Sequence, residues 1–257
     1  MNIISAFLLG AVEGITEFLP ISSTGHLILF QQIFDIPKTE FLKTFDIAIQ
    51  LGAIAAVVFL FQRVFFRDME TVKKIAIAFL PTGALGLLLY PVVKRYFLSN
   101  SSIVLWALFL GGLFLIFFEM THQAGKKTAA DLSAISQKQA FFVGLFQSLA
   151  MIPGVSRSAA TIIGGLILGI ERKAIVEFSF LLAVPTIGGA AAYDLLKNAS
   201  AFSFRQFELL IVGFCVAFLT ALYSMQFLLR YIQTRNFIWF GVYRVALAFA
   251  FFLAFLF

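Results

Sequence analysis

The sequence predicts an all-α polytopic membrane protein, with about six transmembrane helices plus two re-entrant broken-helix hairpins in an inverted-topology repeat. Three observations carry this expectation. Of 257 residues, 61% are hydrophobic and only 12% charged, with 34 Phe and a mean hydropathy of +0.98, where a soluble domain carries about a quarter charged residues. Six apolar runs each approach the roughly 20 residues that cross a bilayer as helix. Two further apolar regions are longer than one span, and Pro with small polar residues interrupts each midway.

In chain order, the first broken region covers about 2–34, and unbroken spans follow at about 44–62, 75–93 and 103–121. The polar stretch HQAGKKTAADLSAISQK at 122–138 is a linker. The second broken region covers about 139–170, followed by spans at about 174–196, 207–229 and 238–257. The two broken regions align, GAVEGITEFLPISST from Gly10 against GLFQSLAMIPGVSRS from Gly144, which sets Glu13 opposite Gln147, Ser22 opposite Ser156 and Thr24 opposite Ser158. One membrane domain over 1–257 therefore reads as repeat 1 at 1–121, the linker, and repeat 2 at 139–257. If each broken region enters and leaves by one face, each copy crosses an odd number of times. The second copy is then inverted.

Basic residues set the orientation under that assumption. One face collects Lys38, Lys43, Lys94, Arg95, Lys197 and Arg205; the other collects Arg63, Arg67, Lys73, Lys74, Lys126, Lys127, Lys138, Arg172, Lys173, Arg230 and Arg235. The richer face belongs in the cytoplasm. The net charge of +6 is spread singly or in pairs over short connections, which suits lipid headgroups and topology rather than nucleic acid. The short apolar start ending at Glu13, without a basic leader, argues against a cleaved signal peptide. Cys215 is the sole cysteine, so no internal disulfide forms. No Walker, GxGxxG, CxxC or HExxH motif occurs, which argues against nucleotide and zinc chemistry. His122 reads as a loop residue.

The interruptions carry the chemistry. Glu13 and Glu17 stand i,i+4, so on a helix their carboxylates share a face and offer hard oxygen ligands to one cation, Mg²⁺ or Ca²⁺. Pro20 ends that helix, and Ser22, Ser23 and Thr24 are N-cap candidates for the next. A helix N-terminus at membrane depth attracts an anion, the hydroxyls add donors, and Gly25 permits close approach to the backbone. In the second copy PGVSRSAAT, residues 153–161, presents Ser156, Arg157 and Ser158 at a helix start, with Thr161 on the face of Ser158. The planar fork of Arg157 holds two phosphate oxygens at once. Ionised groups at membrane depth cost about 2.5–3.5 kcal/mol each, which makes a purely structural role a poor account of Glu13, Glu17 and Arg157. Arg244, in VYRVA, is balanced between a functional role and a structural one, pairing with a buried acid or snorkelling to an interface. Asp46, Gln50 and Glu177 read as structural.

At EGITEFLPISSTGH (13–26) and PGVSRSAAT (153–161), and further along KTFDIAIQLG from Lys43 and EFSFLLAVP from Glu177, the chain resembles the bacterial undecaprenyl-diphosphate phosphatase family linked to bacitracin resistance. Ala159 stands where that family often has Gly. The resemblance covers essentially the whole chain. It implies hydrolysis of undecaprenyl diphosphate to undecaprenyl phosphate and inorganic phosphate, recycling the lipid carrier of cell-wall synthesis. It also implies a divalent cation, a bacterial inner-membrane location and a site opening to the periplasmic side.

The same resemblance implies Ser23 as nucleophile with His26 as its proton-transfer group, Arg157 as diphosphate clamp, and Glu17 beside Glu13 holding the metal or orienting a nucleophile. Ser22, Thr24, Gly25, Ser156, Ser158 and Thr161 would line the phosphate. A metal-bound water attacking directly fits the residues equally well. The expected partners are a long-chain prenyl diphosphate and membrane lipids, with homodimerisation left open. The alternative is a secondary transporter or lipid flippase on the same inverted-repeat plan. A carrier needs binding groups only, whereas Ser23, His26, Glu17 and Arg157 together supply a nucleophile, proton transfer and a clamp.

Overall fold

The structure, a computed structural model, describes residues 1–96, 101–122, 129–189, 191 and 204–256. Among them all regular structure is helical apart from one isolated bridge between Ala129 and Ile170. The helices are α1 (Ile3–Thr16), α2 (Ser23–Ile33), α3 (Glu40–Leu60), α4 (Gln62–Arg67), α5 (Met69–Tyr96), α6 (Ser101–Thr121), α7 (Gln137–Gln147), α8 (Arg157–Ile167), α9 (Arg172–Ala183), α10 (Phe204–Tyr231) and α11 (Ile238–Leu256). Four of these, α3, α5, α6 and α10, contain stretches long and apolar enough to cross a membrane. The chain is an all-α membrane protein. Its outward surface is correspondingly apolar: Trp106, Leu110, Phe114 and Phe117 stand exposed along α6, where lipid covers them at no hydrophobic cost.

Local sequence explains the helix starts. Asn2, Thr39 and Ser136 each accept a backbone N–H in the first turn of α1, α3 and α7, and Ser136 completes a capping box with Gln139. The predicted span at 174–196 is not one regular α-helix over its described part. Regular α-helix ends at Ala183, and a wide turn at Val184–Gly188 takes over at Pro185, because Pro has no N–H for the ladder. Residues 190 and 192–196 of that run, with Lys197 and the linker lysines Lys126 and Lys127, lie outside the described residues.

Both broken regions are broken as expected. α1 and α2 have 14 and 11 residues, about 21 and 17 Å at 1.5 Å per residue, well short of a ~30 Å hydrocarbon core. The two pack against each other, as do α7 and α8. The packing is reciprocal: α1 lies along α10, the second helix after the second broken region when counted from α9, and α7 lies along α5, which stands second after the first broken region when counted from α3 without the short α4. The aligned glycines mark both crossings, since a methyl on Gly10 would strike the Gly213 carbonyl and one on Gly144 the Ala78 carbonyl. α6 and α11, the last helix of each copy, cross at Gly112 and Gly241, where each glycine faces the other's carbonyl oxygen. Exchanged helices of this kind bring the two breaks into the middle of the molecule.

Candidate active site

Each break ends in a serine N-cap. Ser22 receives the Gly25 N–H at 3.4 Å and Ser156 receives the Ala159 N–H at 3.2 Å. Ser22 sits at φ 72°, a left-handed conformation that a side chain tolerates only when its surroundings impose it, at a cost of about 1–3 kcal/mol. Gly154 is at φ +92°, and any Cβ there would also meet the Val104 carbonyl and the Ala107 methyl. Glycine is therefore required at that turn.

Between the two helix starts lies a cavity of about 210 Å³, lined by Glu17, Ser22, Ser23, Thr24, Gln50, Thr82, Gln147, Ser156, Arg157 and Thr186 with a few apolar neighbours. Glu17 joins its two sides. One carboxylate oxygen accepts the Ser23 hydroxyl at 2.5 Å, and the other accepts an Arg157 N–H at 3.0 Å. All three side chains are largely withdrawn from solvent, so this ion pair carries weight that a surface pair would not. Arg157 is held from behind: its other terminal nitrogen donates to the Ser179 carbonyl at 2.6 Å, and its guanidinium lies 5.8 Å over the Phe18 ring. Its Nε–H is buried and unpartnered, a donor left for a ligand.

The remaining predicted residues divide. Ser22, Thr24 and Ser156 line the cavity with Ser23 and Arg157. Ser158 and Thr161 do not: Ser158 donates to the Leu19 carbonyl at 2.8 Å, and Thr161 contacts the Ser179 hydroxyl at 2.6 Å and backbone carbonyls of its own helix. Their hydroxyls tie the copies and the helices together. Gly25 faces Leu108 of α6, so its smallness serves helix packing.

His26 is turned away from Ser23. Its Nδ1 lies 2.7 Å from the Ser22 carbonyl and its Nε2 2.8 Å from the Tyr243 hydroxyl; a carbonyl only accepts, so Nδ1 carries the proton and the tyrosine donates to Nε2. The group poised on the Ser23 proton is Glu17. Spacing alone allowed His26 to face Ser23; the side chain that receives the Ser23 hydroxyl here is Glu17 instead.

Glu13 is fully buried and neither of its carboxylate oxygens receives a donor; the neighbouring Glu17 carboxylate is placed to share a proton with it, and Asp46 and Arg157 also act on it electrostatically. Unpartnered buried carboxylate oxygens beside a second carboxylate suit a hard divalent cation. Among the described residues no three His, Cys, Asp or Glu side chains converge, so the protein would supply two carboxylates at most. Either expected ion, Mg²⁺ or Ca²⁺, would then have to complete its shell with water or substrate phosphate.

Several contributors were not legible beforehand. Ser179, Thr82 and Thr186 are ordinary hydroxyl residues in apolar helices, and only the tertiary fold brings them to Arg157 and Gln147. Gln50, read as structural, lines the cavity. Asp46, also read as structural, accepts both bonds of the Gln31 amide at 2.8 and 2.9 Å.

The helices and the cavity bring together groups that can receive a phosphate in a membrane protein: an arginine with a free donor, two helix N-termini, and a carboxylate bonded to a serine hydroxyl. The chain belongs to the family described as bacitracin resistance protein BacA, whose model matches residues 6–250. It is 49% identical over 253 residues to an undecaprenyl-diphosphatase of Sulfurihydrogenibium sp. (strain YO3AOP1), covering 98% of this chain and 99% of that one. It is 48% identical to the undecaprenyl-diphosphatase of Wolinella succinogenes, covering 98% and 97%, and 46% identical to that of Aquifex aeolicus, covering 98% of each.

Proposed function

We propose that this chain is an integral-membrane phosphatase that hydrolyses undecaprenyl diphosphate to undecaprenyl phosphate and inorganic phosphate. The observation that carries the reading is the Glu17 carboxylate, bonded at once to Ser23 and Arg157 inside the cavity. A carrier needs the arginine; it has no use for a base on the serine. The transporter alternative is accordingly not favoured.

In the mechanism we infer, the terminal phosphate enters between the starts of α2 and α8 and takes the Arg157 fork in place of Glu17. Arg157 neutralises charge on the reacting phosphate, and the free N–H groups of the two helix starts with the Ser22 and Thr24 hydroxyls orient its oxygens, while the Ser156 hydroxyl, which lines the cavity, donates to Ser158. Glu17 removes the Ser23 proton as Oγ forms a bond to the terminal phosphorus, and the bond from that phosphorus to the bridging oxygen breaks, releasing undecaprenyl phosphate. That proton leaves Glu17 with the departing phosphate, so the restored carboxylate can deprotonate a water that cleaves the phosphoserine, and the proton taken from the water passes to Ser23 Oγ as inorganic phosphate departs. A variant in which water attacks directly uses the same base and clamp. A divalent cation held by Glu13 and Glu17 would supply charge neutralisation at the phosphate oxygens.

We further read the fold as two inverted copies with the linker on the cytoplasmic side of the bacterial inner membrane and the site open to the periplasm. The reciprocal packing of α1 and α7 and the unequal distribution of Lys and Arg support this reading. The test of the activity is phosphate release by purified protein from a long-chain prenyl diphosphate. Release at a rate abolished by Arg157→Ala is expected, and tight binding of the lipid without any release would refute it.

A further inference from the structure

The last helix carries an arginine that neither the motifs nor the mechanism uses. Arg244 is 1% exposed, and among the described residues no carboxylate pairs with it, so both structural expectations for it, an acid partner or snorkelling, are set aside. Its guanidinium donates instead to four backbone carbonyls: Pro20 at 3.4 Å, Gly154 at 3.2 Å, Ala107 at 2.9 Å and Leu108 at 3.3 Å. Pro20 and Gly154 occupy the same register in the two aligned copies. Each sits at the interruption of its broken region, where the chain leaves helical geometry and a carbonyl loses its usual N–H partner. The preceding residue, Tyr243, holds His26 through its hydroxyl, and His26 holds the Ser22 carbonyl. Consecutive side chains of α11 thus reach both breaks and the first turn of α2.

From this geometry we infer that Arg244 is a positioning residue that fastens the two helix breaks to α6 and to each other, so that Ser23 and Arg157 meet on Glu17. The inference rests on the phosphatase reading for its kinetic consequence and on geometry alone for its structural one. An uncompensated cation among carbonyls is costly to bury, and a planar five-donor fork answers carbonyls in four directions as an ammonium does not. Gly111 of α6 supports the assignment from the opposite side: a methyl there would fall on the Arg244 guanidinium. The space that the missing side chain leaves is the space the fork fills.

The test pairs a distance with a rate. Nitroxides on Ile33→Cys and Ile167→Cys, exposed sites on α2 and α8, in a Cys215→Ser background report how the two short helices stand relative to each other. Arg244→Lys should broaden or shift that distance distribution and lower kcat on the order of 10²-fold, the cost of a misplacement of about 1 Å, with KM changed far less. Gly111→Ala, which leaves Arg244 in place but displaces its head, should do the same in protein that elutes as a folded species, so the case does not hang on one variant. An unchanged distance distribution in both variants overturns the assignment, whether or not turnover falls. Wild-type kcat in Arg244→Lys overturns it equally. The spectroscopic arm needs no turnover, so failure of the phosphatase reading would leave it standing on its own result.

Discussion

Glu17→Gln is the most informative single substitution, because it keeps the shape of the side chain and changes which atoms can accept. In the native site one oxygen takes the Ser23 hydroxyl at 2.5 Å and the other an Arg157 N–H at 3.0 Å. An amide has one oxygen and one NH₂. Arg157 can only donate, so the amide oxygen turns to it and the NH₂ faces Ser23, which must then accept rather than donate. The serine loses its base outright. General-base removal costs about 10²–10⁴ in rate, and here the clamp also loses its charged partner, so a fall in kcat toward the upper end is expected. Breaking a buried ion pair by removing one charge costs about 3–5 kcal/mol of stability; the retained amide bond to Arg157 should keep the loss below that. Phosphate release measured on protein that still elutes as a folded species separates the two effects. A folded Glu17→Gln protein with more than about a tenth of native kcat, set against that expected loss, would refute Glu17 as the base.

Arg157→Lys keeps the charge but loses the fork that reaches Glu17 and Ser179 together, so kcat should fall severely; near-native turnover would reduce the residue to electrostatics. Ser23→Ala should abolish turnover with affinity largely kept, and rapid quenching of the native protein should trap phosphate on Ser23. A residual rate only about 10²–10³ below native would favour direct attack by water. Glu13→Gln removes the unpartnered buried carboxylate and should weaken Mn²⁺ binding followed by electron paramagnetic resonance, while the fold is kept or stabilised; unchanged Mn²⁺ affinity would exclude Glu13 as a ligand. For topology, Ala134→Cys in a Cys215→Ser background, exposed in the described part of the linker, should react with an impermeant thiol reagent from the cytoplasmic side alone, and labelling from outside would reverse the orientation.

What the sequence made legible follows a physical rule. Composition and apolar run length decide whether a chain lives in a bilayer, and both are one-dimensional properties. The two breaks were equally legible, because Pro20 and the Pro153-Gly154 pair act on their own backbone. The N-caps were legible to within a residue or two, as one of Ser22, Ser23 and Thr24 and as the start at Ser156 to Ser158, because a cap's hydrogen bond reaches only three residues ahead. Pairings across the fold were not. Nothing in the spacing of Ser23 tells whether its hydroxyl meets His26, one helical turn on, or Glu17, across the kink. Ser158 and Thr161 look like phosphate donors in the motif, yet the donor of one meets the Leu19 carbonyl from the other copy and the other packs on Ser179. Motif membership marked residues that matter without separating those that touch a ligand from those that hold the touching ones.

If the two broken regions are copies of one unit, they divide the labour. The aligned positions 17 and 151 hold Glu and Met, and positions 23 and 157 hold Ser and Arg, so the proposed base and hydroxyl fall in one half of the chain and the proposed clamp in the other. Positions 13 and 147 kept related side chains, Glu and Gln, both nearly inaccessible and both with unpartnered oxygens. Gln147 shows why the amide is tolerated there. The Thr82 hydroxyl donates to the Gly144 carbonyl and the Thr186 hydroxyl to the Leu182 carbonyl, so each can only accept from the Gln147 NH₂, at 2.9 and 3.1 Å. That fixes the amide orientation and leaves its oxygen free, a neutral counterpart of the carboxylate at position 13. A buried carboxylate with no such donors near it must be met by a proton or a cation. The loss or persistence of Mn²⁺ binding in Glu13→Gln separates the two.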